Sequence, residues 1–131
     1  MKIYAAVMLG GAIGSLSRFL LASWIDGISG ALFPWGTVIV NIIGCFIIGL
    51  FSGLILPEGP WNAPPVLRSF AIIGILGGFT TFSSFSLQSV ALFRQGHHWL
   101  ALGNVSLSMV ACLLATAAGF ALALYIDKQV S

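Results

Sequence analysis

The chain has 131 residues, 59% of them hydrophobic and 6% charged, with a formal net charge of +2 and a mean hydropathy of +1.08. Soluble domains carry roughly a quarter charged residues, so this composition excludes a water-soluble fold and puts the chain in a bilayer.

Continuous apolar stretches lie at about residues 3–25, 36–56, 66–93 and 99–126, and each reaches the roughly 20 residues a helix needs to cross a hydrocarbon core of about 30 Å. Transmembrane β-strands would instead alternate in polarity. The expected fold is therefore an all-α integral membrane protein, one domain over residues 1–131, with four transmembrane helices.

In the first stretch Lys2 precedes an apolar run, as in a secretory signal. The run continues past Arg18 to Trp24, however, and holds Gly10, Gly11 and Gly14, which suit close helix packing, so retention is expected. Arg18 is the basic residue well inside a predicted span; it either snorkels to the interface or draws anions into a vestibule. Turn formers between Asp26 and Gly30, with Pro34 and Trp35, close this helix.

The second stretch contains Asn41. Its amide either joins two helices or offers two N–H donors in place of the water around a small anion. Residues 57–65, rich in proline and glycine, lead to the third stretch.

Residues 77–86 of the third stretch hold two glycines, two threonines, three serines and three phenylalanines, far too polar for a lipid-facing helix. The Gly77-Gly78 pair predicts a break near the middle of the helix. Carbonyls freed there are satisfied either by a monovalent cation or by threonine hydroxyls bonding back. Phe82 and Phe85 share a helix face, and the positive edge of an aromatic ring can meet a poorly hydrated anion.

Residues 94–99 make the last bend, where His97 and His98 read as a solvated pair, and the fourth stretch follows. Cys45 and Cys112 lie inside different predicted helices and read as small apolar residues, without metal-ligand spacing. Trp24, Trp35, Trp61 and Trp99 fall at predicted span ends, as interfacial anchors do.

Charge placement adds a topological expectation. Four spans put Lys2, Arg68 and Lys128 on one side and Arg18 and Arg94 toward the other, three against two, which leaves insertion almost unbiased. Two oppositely oriented copies would then pair about an axis in the membrane plane, giving an antiparallel homodimer surrounded by membrane lipid. The pairs Gly10 with Gly14, Gly49 with Gly53 and Gly74 with Gly78 permit close helix approach. Asp26, Glu58 and Asp127 are read in loops or at a terminus, leaving no proton-carrying carboxylate at membrane depth. That counts against the alternative of a small dual-topology multidrug or cation antiporter. No catalytic constellation is present, so no enzyme is expected, nor a nucleic-acid partner.

The chain resembles the Fluc/CrcB family of small fluoride channels along nearly its full length. The resemblance runs through Gly10-Gly11-Ala12-Ile13-Gly14-Ser15 and Arg18, through Gly36-Thr37 and Val40-Asn41, and most specifically through residues 74–86. It implies a dual-topology homodimer in a bacterial inner membrane, enclosing two fluoride pores that export cytoplasmic fluoride passively. By position, Asn41, Phe82 and Phe85 would line a pore, Ser108, Thr37 and Ser84 would belong to a hydroxyl track, and Arg18 would stand in the vestibule. The backbone carbonyls of Gly77 and Thr80 would hold a structural Na+ between the two copies. Cys112 replaces a usual serine, Asn104 an occasional tyrosine and Gln88 a frequent glutamate.

Overall fold

The computed structural model describes residues 1–130. Four segments are long and apolar enough to cross a membrane: Lys2–Ser29, Trp35–Ile55, Pro65–Arg94 and His98–Val130. The first two are helices α1 and α2. The third divides into α3, residues 65–79, and α4, Phe82–Arg94, and the fourth is α5.

Helix α1 runs farther than its turn formers suggest. Residues 26–29 complete its last turn, and Gly30 ends it at φ 54, a left-handed conformation suited to glycine. Asp26, expected in a loop, is thus helical, and its Oδ1 accepts the Gly36 N–H at 2.7 Å, capping the start of α2 with a carboxylate. Asp127 likewise lies on a helix, near the end of α5.

The third span is interrupted twice. Residues Ser69–Leu76 widen into a π-helix. The chain then leaves helical geometry at Thr80 (ψ 154) and Thr81 (φ -150). The break therefore falls two residues after the Gly77-Gly78 pair, which is itself helical. Gly78 serves packing instead: a Cβ there would stand 2.7 Å from the Gly11 carbonyl oxygen on α1.

Two parallel pairs make the bundle. α3 packs chiefly on α1, and α2 chiefly on α5, while α4 packs on α5. Crossing at Thr80-Thr81 thus carries the third span from one pair to the other, over α2. The expected glycine pairs act inside a single copy. A Cβ on Gly10 would stand 2.5 Å from the Phe70 carbonyl oxygen, and Gly49 and Gly53 meet Thr116 and Ala123 on α5. Leu54, Ile55, Ala63, Ala71 and Ala123 form the apolar core near the α2–α3 connection, which closes with backbone bonds from Trp61 N to Leu54 O and Ala63 N to Ile55 O.

Candidate functional site

The crossover is held by one side chain. Asn41 Nδ2 donates to the Thr81 carbonyl at 3.0 Å, and the Thr81 N–H donates to Asn41 Oδ1 at 2.7 Å, so the amide pairs with the peptide as a strand would. Gly44, one turn along α2, leaves room for the Thr80 methyl and the Phe79 ring. Of the two open readings of Asn41, the interhelical bond is present, and it consumes one amide hydrogen. A primary amide has two. The second is left beside a cavity of about 240 Å³ that Asn41 lines with Thr81, Phe82, Phe85 and Ser108.

Thr81 also starts α4. Its Oγ1 accepts the Ser84 N–H at 3.1 Å, an N-cap bond, and donates to Ser84 Oγ at 3.0 Å. Ser84 Oγ, accepting there, keeps its own hydrogen for another partner.

These bonds decide the fate of the freed carbonyls. In an unbroken helix the Gly77 and Thr80 carbonyls would accept from the N–H groups four residues on, Thr81 and Ser84. Both donors are diverted, the first to Asn41 and the second to the Thr81 hydroxyl. Back-bonding occurs as well, but at the preceding residue: Thr80 Oγ1 and Thr80 N both donate to the Leu76 carbonyl. Back-bonding thus satisfies the Leu76 carbonyl and leaves the Gly77 and Thr80 carbonyls without their helical donors.

Phe82 and Phe85 sit with ring centroids 5.3 Å apart and planes tilted by 50°. Phe85 is 7% exposed; Phe82 is 73% exposed in the single copy. Phe85 is thus enclosed, while Phe82 leaves the aromatic cavity open on its outer side.

Arg18, Thr37 and Ser84 gather elsewhere, in a second cavity of about 230 Å³ shared with Asp26 and Gln88. Thr81 lines both spaces, so it separates them. Arg18 Nε and Gln88 Oε1 are buried without hydrogen-bond partners, a donor and an acceptor in the same cavity. Neither atom is open to water in this arrangement, so the anion-attracting element of the cavity is the rest of the Arg18 guanidinium.

A third set of contacts ties α4 to α5. Asn104 is fully buried; its Nδ2 donates to Ser89 Oγ at 2.9 Å, and Ser89 Oγ donates to the Phe85 carbonyl at 2.8 Å. Ser108 Oγ donates to Asn104 Oδ1 at 3.4 Å. This chain sets the turn of α4 that presents Phe85.

Residues 5–120 match the family described as CrcB-like protein, Camphor Resistance (CrcB). The chain belongs to the CrcB-like family. It is 50% identical over 115 residues to the fluoride-specific ion channel FluC of Opitutus terrae, covering 88% of this chain and 87% of that one. It is 45% identical to the protein of the same name from Methylocella silvestris, over 96% of both chains. A third such channel, from Paramagnetospirillum magneticum, is 46% identical over 98% of this chain and 100% of its own. These relatives are named as ion channels, not enzymes, and the four apolar helices make this CrcB-like chain a multi-pass membrane protein.

Several residues of this CrcB-like site were not singled out by the sequence reading. Thr81, the wall between the cavities, looks no different from Thr80 in sequence. Asn104 was noted only as a departure, and its bracing role follows from burial. Cys45 also faces the aromatic cavity. A signal for it exists: Thr37, Asn41, Cys45 and Gly49 recur every four residues on α2, as do Asn104, Ser108, Cys112 and Thr116 on α5, and parallel packing sets the two rows side by side.

Proposed function

We propose that the chain forms a passive fluoride channel, built as an antiparallel homodimer with two pores, that exports fluoride across a bacterial inner membrane. One observation carries this reading: Asn41, pinned at Thr81, keeps an N–H beside the edge-tilted Phe82 and Phe85 pair in a cavity lined by no carboxylate. Neutral donors and ring edges replace part of an anion's hydration without the full charge that would trap it. The relatives' name, fluoride-specific ion channel, supplies the identity of the anion.

The exposure of Phe82 supports a second copy in this reading. Phe82 stands open in one chain, and a ring offered to fluoride rather than to lipid needs a facing wall. In this reading fluoride enters the vestibule at Arg18, with Thr37 and Ser84, passes Thr81, and reaches Asn41, Phe82, Phe85 and Ser108. Hydrogen fluoride crosses membranes as the neutral acid and ionises in the less acidic cytoplasm, so a passive route outward needs no coupling group.

The residues present fit a structural sodium ion, because the Gly77 and Thr80 carbonyls have lost their helical donors at membrane depth. Carbonyls from both copies would hold it, and its charge would compensate the oxygen dipoles where the two breaks meet.

Purified protein in fluoride-loaded liposomes is expected to release fluoride rapidly and chloride at most at a trace rate, as read by ion-selective electrodes. Equal release of the two ions defeats the reading. Phe85→Ile and Phe82→Ile should each lower fluoride release by about fivefold or more, because loss of an aromatic edge removes an interaction of order 1 kcal/mol and reshapes the cavity. Wild-type flux in both variants would remove the rings from the pathway.

A further inference from the structure

One wall of the aromatic cavity is sulfur. Cys45 on α2, and Cys112 and Met109 on α5, line it together. Both cysteines are free and half-buried, and they reach the same cavity from the two sides of the α2–α5 seam. Met109 is three residues before Cys112, so the two share a face of α5. The same parallel register sets Cys45, one turn beyond Asn41, against Cys112, one turn beyond Ser108. None of the three sulfurs has a place in the polar bracing of Asn41, Thr81, Asn104 and Ser108.

We propose that this wall is a binding site for a soft monovalent cation of the silver(I) or copper(I) class, held by Cys45 Sγ and Cys112 Sγ with Met109 Sδ as a weaker third donor. Thiol and thioether sulfur select soft ions over the hard cations abundant in cells. Charge balance favours a monovalent ion at this depth. On binding, an Sγ–metal bond forms and one S–H bond breaks; the proton leaves to water, no electron is transferred, and the site remains neutral. A hard divalent ion would leave uncompensated charge among apolar residues. The bound ion occupies part of the cavity that Asn41, Phe82 and Phe85 also line, so it obstructs whatever uses that cavity. That it stops fluoride rests on the channel reading above; that it binds does not.

The test uses the full chain in chloride-free nitrate medium. Silver nitrate titrated into detergent-purified protein is expected to bind at one equivalent per chain and to protect both cysteines from maleimide labelling, a measurement that needs no variant. Cys45→Ser or Cys112→Ser alone should weaken binding by at least about 100-fold, because a shared ion loses chelation when either donor goes. In liposomes, silver at saturating concentration should lower fluoride release at least tenfold, with each variant normalised to its own silver-free rate, and excess dithiothreitol should restore it. Two equivalents per chain, wild-type affinity in each serine variant, or block that survives both substitutions would overturn the site. Absence of fluoride release before silver is added would defeat the channel reading and leave the binding result standing.

Discussion

Asn41→Asp is expected to lower fluoride release by about two to three orders of magnitude. The carboxylate can still accept the Thr81 N–H, but it removes the donor now 3.0 Å from the Thr81 carbonyl and sets oxygen against oxygen there. It also puts a negative charge on the wall of the aromatic cavity. At an effective dielectric of about 20, two like charges roughly 4 Å apart repel by about 4 kcal/mol, and each 1.4 kcal/mol is about tenfold in occupancy. Both effects have one sign. Release is measured with a fluoride electrode beside a melting curve in detergent, since the lost crossover bond should also destabilise the fold by about 1–3 kcal/mol. A variant that conducts like wild type would reduce Asn41 to a packing residue and deprive the proposed pore of its main donor.

Gly49→Val should be still more damaging to the folded protein. A Cβ on Gly49 would fall on the Thr116 carbonyl oxygen, with Thr116 C at 3.0 Å and Phe120 N at 3.1 Å. Gly119 meets α2 reciprocally, at the Phe46 carbonyl oxygen and at Leu50 N, 2.9 Å away. These neighbours are helix backbone and cannot rotate aside. α2 and α5 must separate, which drags Asn41 away from Ser108 and opens the seam. Overpacking costs about 1–3 kcal/mol when side chains can adjust, and more is expected against rigid backbone. Thermal melting followed by size-exclusion chromatography should show a large loss of monodisperse protein, and Gly49→Ala should move the same way by a smaller step. Unchanged melting in both variants would mean that the helices are not in backbone contact at this seam.

Both expectations come from the same architecture, in which small residues set helix distance and one amide holds a broken helix in place. The bilayer gives that amide its weight. Water cannot satisfy the Thr81 peptide at membrane depth, so losing Asn41 leaves both of its backbone groups in search of partners. Asn104 does similar work for α4, fully buried between Ser89 and Ser108.

Much of this was legible in the amino-acid order. Four apolar stretches, each longer than a membrane is thick, determine four spans, because hydrocarbon tolerates backbone only when its hydrogen bonds are internal. The concentration of hydroxyls, glycines and phenylalanines over residues 77–86 marks the segment that departs from this rule. Where the departure occurs was decided in three dimensions. Gly77-Gly78 has the weaker helix propensity, yet the helix continues through it and opens at Thr80-Thr81, since Asn41 supplies partners for the Thr81 peptide and the Thr81 hydroxyl caps α4. The division of Arg18, Thr37 and Ser84 from Asn41, Phe82, Phe85 and Ser108 into two cavities, and the convergence of Cys45 and Cys112 on one of them, also appear only in the packed bundle. Local propensity and hydropathy are properties of a segment; a hydrogen-bond partner 40 residues away is a property of the packed chain.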